Sequence, residues 1–191
     1  MYRLFVAVDL PQETKEAVRA ICRGLPEARW VPLDQLHLTL RVIGDADDGV
    51  FIAIKTALGK VIGAPFDLAL EGIGHFPPGK RARVLWVGME NNEPLMKLAK
   101  DVELALGIAG IPREERPFSP HITLARFREP PFGGIAPFEE RHRDFALPPF
   151  TVTAFYLYSS VLTPRGAIHK REATYPLSSG GTACRAPETG R

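Results

Sequence analysis

The sequence predicts an α+β protein of two related lobes, and three observations carry that prediction. Apolar residues recur at helical spacing in three stretches. In several others they alternate with polar residues, the period of a strand. One short phrase, HLTL at His37–Leu40, also returns far along the chain as HITL at His121–Leu124.

Taken in order, the opening YRLFVAVDLP reads as a first strand over Arg3–Leu10. PQETKEAVRAICRGL then places Pro11 at a helix start and Ala17, Val18, Ile21 and Leu25 on one stripe. In ARWVPLDQLHLTLRVIG, Leu36, Leu38, Leu40 and Val42 alternate with His37, Thr39 and Arg41, so strict alternation puts the last three on one strand face. A second helix is expected over Asp48–Ile62. FDLALEGIGHF and RVLWVGM follow as a hairpin around the turn PPGK. A third helix carries Leu95, Leu98, Ala99, Val102 and Leu106 on one stripe, with Gly107 or Gly110 as its stop. RPFSPHITLARF then repeats the strand alternation, with Ser119, His121 and Thr123 on one side and Ile122 and Leu124 on the other. After a Pro/Gly-rich charged stretch over 128–149, FTVTAFYLYSSVL and AIHKREATYPL supply two more strands. The single domain is expected to span residues 1–177, with 178–191 a disordered tail.

Composition narrows the function class. The 191 residues are 45% hydrophobic, enough for a sizeable core, and 24 basic against 22 acidic side chains leave a net charge of only +2. A nucleic-acid site must therefore be local. Two cysteines, Cys22 and Cys184, make neither a disulfide framework nor a metal cluster, which fits the reducing cytoplasm. The apolar opening is too short for a membrane span and lacks a signal-peptide cleavage pattern.

Each tetrad alone suits the polar face of a half-buried strand. The pair asks for chemistry. Imidazole titrates nearest neutrality, so one ring can stay neutral as a base while its partner stays protonated as an acid, which is what phosphodiester cleavage requires. The threonine hydroxyls, two residues on along the same face, suit hydrogen bonds to nonbridging phosphate oxygens.

On the paired tetrads, and on RLFVAVDLP, RWVPLDQLHLTL, RVLWVGM, RPFSPHITLARF and FYLYSS in that order, the chain resembles the RNA 2',3'-cyclic phosphodiesterases, also called 2'-5' RNA ligases, of the two-histidine (2H) phosphoesterase superfamily. That resemblance implies two pseudo-symmetric lobes of antiparallel sheet with flanking helices around a central cleft. It implies metal-independent hydrolysis of RNA 2',3'-cyclic phosphate ends to a 2'-phosphomonoester, with 2'-5' ligation in the reverse sense. No cofactor or metal is implied, and the partners are RNA ends or nucleotides bearing the cyclic phosphate, met by a monomer. Carried across, the pattern makes His37 the proton donor to the leaving 3'-oxygen and His121 the proton acceptor from water, although the two roles are exchangeable. Thr39, Thr123 and Arg126 are the expected phosphate contacts. Strict alternation places Arg126 on the face opposite His121, so either a bulge or bend redirects it to the site or it is only a surface residue.

Arg41 has the better parity and is equally a rim contact or a solvated side chain. Lys80, Arg81 and Arg83 form a modest basic patch, suited to an RNA backbone or to a plain solvated turn. His75, His142 and His169 lack a threonine partner and read as loop or surface histidines. Phe5 and Phe118 suit core packing better than stacking on a base. The alternative function is a noncatalytic RNA-end or nucleotide-binding module on the same fold, which would not need two titratable rings.

Overall fold

The structure, a computed structural model, describes residues 2–79, 81–164 and 166–179. The expectations for Lys80 and for residues 180–191, Cys184 among them, lie outside the described residues. The first half of the chain runs β1 (Tyr2–Asp9), α1 (Gln12–Ile21), β2 (Arg29–Trp30), β3 (His37–Ala46), α2 (Asp48–Leu58), β4 (Phe66–Leu68), β5 (Leu70–Phe76) and β6 (Val84–Met89). The second half runs α3 (Glu93–Ile108), β7 (Ile122–Arg126), α4 (Ala136–Arg141), β8 (Phe150–Val152), β9 (Ala154–Thr163) and β10 (Gly166–Pro176).

All strand pairs are antiparallel. One four-stranded sheet has the order β10-β9-β1-β3, a second has β2-β7-β6-β5, and β4 pairs with β8 as a two-stranded ribbon. The architecture is the expected α+β one, with one tetrad in each large sheet. Strand β3, which carries the first tetrad, and strand β7, which carries the second from Ile122 on, approach one another where the two sheets meet.

Local chemistry explains the element ends. The Asp47 carboxylate accepts from the Val50 N–H at 2.9 Å and caps α2. The Asn92 side chain does the same for α3 at 3.0 Å from the Leu95 N–H, with Pro94 in the first turn. At the other end of α3, Gly110 has φ +83°, and the N–H groups of Gly110 and Ile111 return to the carbonyls of Gly107 and Leu106, satisfying the last turn. The predicted stripe Leu95, Leu98, Ala99, Val102 and Leu106 is buried. Leu4, Val6 and Val8 of β1 belong, with Leu85 and Val87 of β6 and Ile122 and Leu124 of β7, to one continuous core that reaches Leu177.

Two features depart from the sequence reading. The Pro/Gly-rich stretch after Arg128 contains a short helix, α4, whose Phe138 is buried. The residues before the first tetrad do not simply lead into its strand: Arg29 and Trp30 cross over to pair with β7 in the other sheet, tying the two lobes together. Among the described residues no helix is long and apolar enough to cross a membrane.

Candidate active site

His37 opens β3 and sits opposite Asp9 of β1, with Thr39 opposite Ala7. Cross-strand partners share a face, so His37, Thr39, Phe5, Ala7 and Asp9 line one side of the first sheet. The imidazole packs in a column: the Phe5 ring lies 5.0 Å from His37 and 5.2 Å from Tyr158, near-parallel to both. His169 closes the group edge-on, 5.5 Å from the His37 ring. Asp9 is not idle beside it, for its carboxylate binds Lys15 Nζ at 2.7 Å and the Arg171 guanidinium at 2.9 Å. Lys15 itself is only 8% exposed.

The electrostatics of His37 follow from this packing. Burial pushes its imidazole down to about 4, reinforced by His169 and Lys15 and opposed by the Gln35 carbonyl and Asp9. His169 is likewise lowered by burial, with Asp34 opposing.

His121 immediately precedes β7 and repeats the arrangement. Its ring meets Phe76 edge-on at 5.1 Å and lies 6.4 Å from Trp86. Trp86 lies flat across the second sheet, which works because residue 74 is glycine: a Cβ there would stand 2.3 Å from the indole. The two histidines are held alike. His37 Nδ1 is 2.7 Å from the carbonyl of Gln35 and His121 Nδ1 is 2.8 Å from that of Ser119, each two residues upstream. A carbonyl can only accept, so each Nδ1 carries the hydrogen and each Nε2 is the nitrogen left with a free lone pair in the neutral ring. The Thr39 and Thr123 side chains, both half-buried, have no hydrogen-bond partner for their hydroxyls among the described residues.

A bulge at the last residue of each tetrad decides which arginine joins these faces. In β7, Thr123 pairs with Trp86 and Ala125 with Leu85, so Leu124 is the extra residue and Arg126 falls opposite Val84. Val84 and Trp86 share a face, and Arg126 therefore lies on the side of Thr123 and His121. In β3 the same slip at Leu40 puts Arg41 opposite Val6, in the core row, and puts Val42 opposite Phe5. This corrects the expectation that Arg41 shares the face of His37. Its guanidinium instead braces β3 to α3, bonding Glu103 at 2.7 Å and the Pro112 carbonyl at 2.7 Å, with further contacts to Glu114 and the Val42 carbonyl. The position that matches Arg126 in the first lobe is Val42, 58% exposed.

The remaining candidates scatter. Arg81 and Arg83 are exposed beside the β5–β6 hairpin, Arg83 near Glu129 at 3.9 Å. His75 is structural, linking Glu139 of α4 at 2.5 Å to the Gly79 carbonyl at 2.9 Å. His142 packs on Phe138 in α4. Phe118 packs against the core, whereas Phe5 is both buried and in ring contact with His37. Sequence reading missed Asp9, Lys15, Tyr158, His169, Arg171, Phe76 and Trp86. Asp9 and Tyr158 had a signal, since each alternates with core residues in its own strand, but the partner strand could not be read. Among the described residues no three His, Cys, Asp or Glu side chains converge as metal ligands.

Two antiparallel sheets, each presenting a backbone-tethered histidine with a threonine two residues on, define a two-histidine phosphoesterase-like architecture. The chain belongs to the 2'-5' RNA ligase superfamily, whose family model matches residues 7–163. A Thermotoga maritima protein named RNA 2',3'-cyclic phosphodiesterase is 35% identical over 176 residues, covering 88% of this chain and 91% of the relative. A Thermus thermophilus protein of the same name is 36% identical, covering 87% and 86%. Among solved structures, Escherichia coli LigT complexed with 3'-AMP superposes with a TM-score of 0.74 at 29% identity, covering 93% of this chain and 99% of LigT.

Proposed function

We propose that the protein is an RNA 2',3'-cyclic phosphodiesterase that opens cyclic phosphate ends to 2'-phosphomonoesters without a metal, acting as a monomer in the cytoplasm, with 2'-5' ligation as the reverse process. The observation that carries this reading is the matched tethering of His37 and His121 through Nδ1, which leaves two Nε2 atoms, each on a strand face with a threonine whose hydroxyl has no hydrogen-bond partner among the described residues. A binding module would need neither titratable ring. The names of the relatives point the same way.

In the proposed reaction His121 Nε2 takes a proton from water as its oxygen attacks phosphorus. The bond from phosphorus to the 3'-oxygen breaks, and His37 Nε2 delivers a proton to that oxygen. Thr39, Thr123 and Arg126 hold the nonbridging oxygens, the arginine as a charge-assisted donor. Because burial holds the unliganded His37 neutral, it takes up its proton from solvent as the substrate binds, since the substrate's negative charge favours the imidazolium. The same burial favours the reverse assignment, with His37 as base.

A substrate with sulfur in place of the leaving 3'-oxygen separates the two assignments, since a thiolate departs without a proton. If His37 is the donor, His37→Ala loses about 10² to 10⁴ in rate on the oxygen substrate and recovers on the sulfur one, while His121→Ala stays inactive on both. Recovery of His121→Ala instead reverses the roles. Recovery of neither variant, with both inactive on the oxygen substrate, removes the acid-base division.

A further inference from the structure

Strand β2 pairs with β7 so that Arg29 stands directly opposite Arg126, and Trp30 opposite Ala125. Ala125 is buried and Trp30 packs 6.0 Å from the Phe138 ring, so that side of the pair faces the core. Arg29 is therefore on the other side, with Arg126, Thr123 and His121. Both arginines are exposed, and among the described residues neither has a carboxylate within ion-pair distance.

Like charges placed directly across a strand pair repel. Two other strand arginines are neutralised, Arg41 by Glu103 and Arg171 by Asp9, whereas Arg3 of β1 has no carboxylate partner among the described residues but stands opposite Asp45 and Ser160 rather than another arginine. An uncompensated pair, beside the tetrad of the second lobe, is a site that an anion would relieve. Arg126 lies one step beyond Thr123 on its face, and Arg29 lies one strand further out, on the edge strand of the sheet. A polymer that places its reacting end at His121 has its next phosphate to set down outside that position.

We propose that Arg29, on the edge strand outward of Arg126, forms a second phosphate subsite that holds the internucleotide phosphate preceding the reacting end, while Arg126 stays on the reacting phosphate. The protein accordingly acts better on strand ends of two or more nucleotides than on a 2',3'-cyclic mononucleotide. This deepens the function proposed above and rests on the reacting group being an RNA cyclic phosphate.

The test compares initial rates in EDTA on a 2',3'-cyclic mononucleotide and on a trinucleotide with the same cyclic end and a 5'-hydroxyl. For Arg29→Gln the ratio of kcat/KM on the trinucleotide to that on the mononucleotide should fall about tenfold, through KM, and Arg29→Lys should restore most of it. The salt dependence of the trinucleotide reaction should become shallower by about 0.7 in log-log slope, the loss of one single-strand phosphate contact. An unchanged ratio overturns the proposal, and so does an equal loss on both substrates, which marks Arg29 as structural. If the unaltered protein turns over neither substrate, the proposed function fails. Fluorescence anisotropy with a trinucleotide ending in a 2'-phosphate still tests Arg29: about tenfold weaker binding by Arg29→Gln supports the subsite, and equal binding overturns it.

Discussion

The column that buries His37 makes that ring a contributor to the loss of stability in acid. An imidazole held at about 4 in the folded protein and at the ordinary 6.5 in the unfolded chain binds its proton more weakly when folded. Between pH 6.5 and 4 the unfolded chain thus holds more protons, and stability falls as pH falls through that window. Integrating the two titration curves, His37 alone removes about 2 kcal/mol between pH 7 and pH 5. In His37→Gln the side chain is neutral at every pH and this loss disappears, while Asp9, Lys15 and His169 remain in both proteins. Urea denaturation at pH 7, 6 and 5 reads the difference directly. The unaltered protein should lose about 2 kcal/mol more than His37→Gln across that range. Curves that stay parallel within about 0.5 kcal/mol would refute the reasoning, because they would mean that the folded protein does not resist charging His37.

Three further outcomes follow from the geometry. Gly74→Ala drives a Cβ to 2.3 Å from the Trp86 indole and should cost about 1–3 kcal/mol in urea denaturation, with a fall in activity as His121 loses its neighbour; a change under about 0.5 kcal/mol contradicts the packing. Arg126→Ala should lower kcat/KM on the cyclic phosphate by about 10²-fold, whereas an unchanged value would show that the Leu124 bulge does not deliver this side chain to the phosphate. Arg41→Ala should act through stability and leave KM within about twofold, since its partners are Glu103 and the Pro112 carbonyl; a selective rise in KM would return it to the substrate.

Much of the fold could be read from periodicity because most elements are local. The α3 stripe, its glycine stop at Gly110 and the β5–β6 hairpin each follow from residues within a few turns of one another. Helix α4 was hidden because its proline and the two glycines before it read as breakers, although Pro137 sits harmlessly in the first turn. The crossing of Arg29 and Trp30 to β7 depends on a pairing partner far along the chain, which alternation in one strand does not encode. The site shows the same limit. His37, His121, Thr39 and Thr123 announce themselves by repetition. Which arginine accompanies them does not, since parity counts side chains and the register slips at Leu40 and Leu124 are set by the neighbouring strands. The column of Phe5, Tyr158 and His169 around His37 comes from three separate strands.

The most direct measurement incubates the pure protein in EDTA with an oligoribonucleotide ending in 2',3'-cyclic phosphate and determines which hydroxyl keeps the phosphate. The account predicts a 2'-phosphate, with turnover abolished in both His37→Ala and His121→Ala. A 3'-phosphate product, a need for added divalent metal, or undiminished turnover in either variant would contradict it.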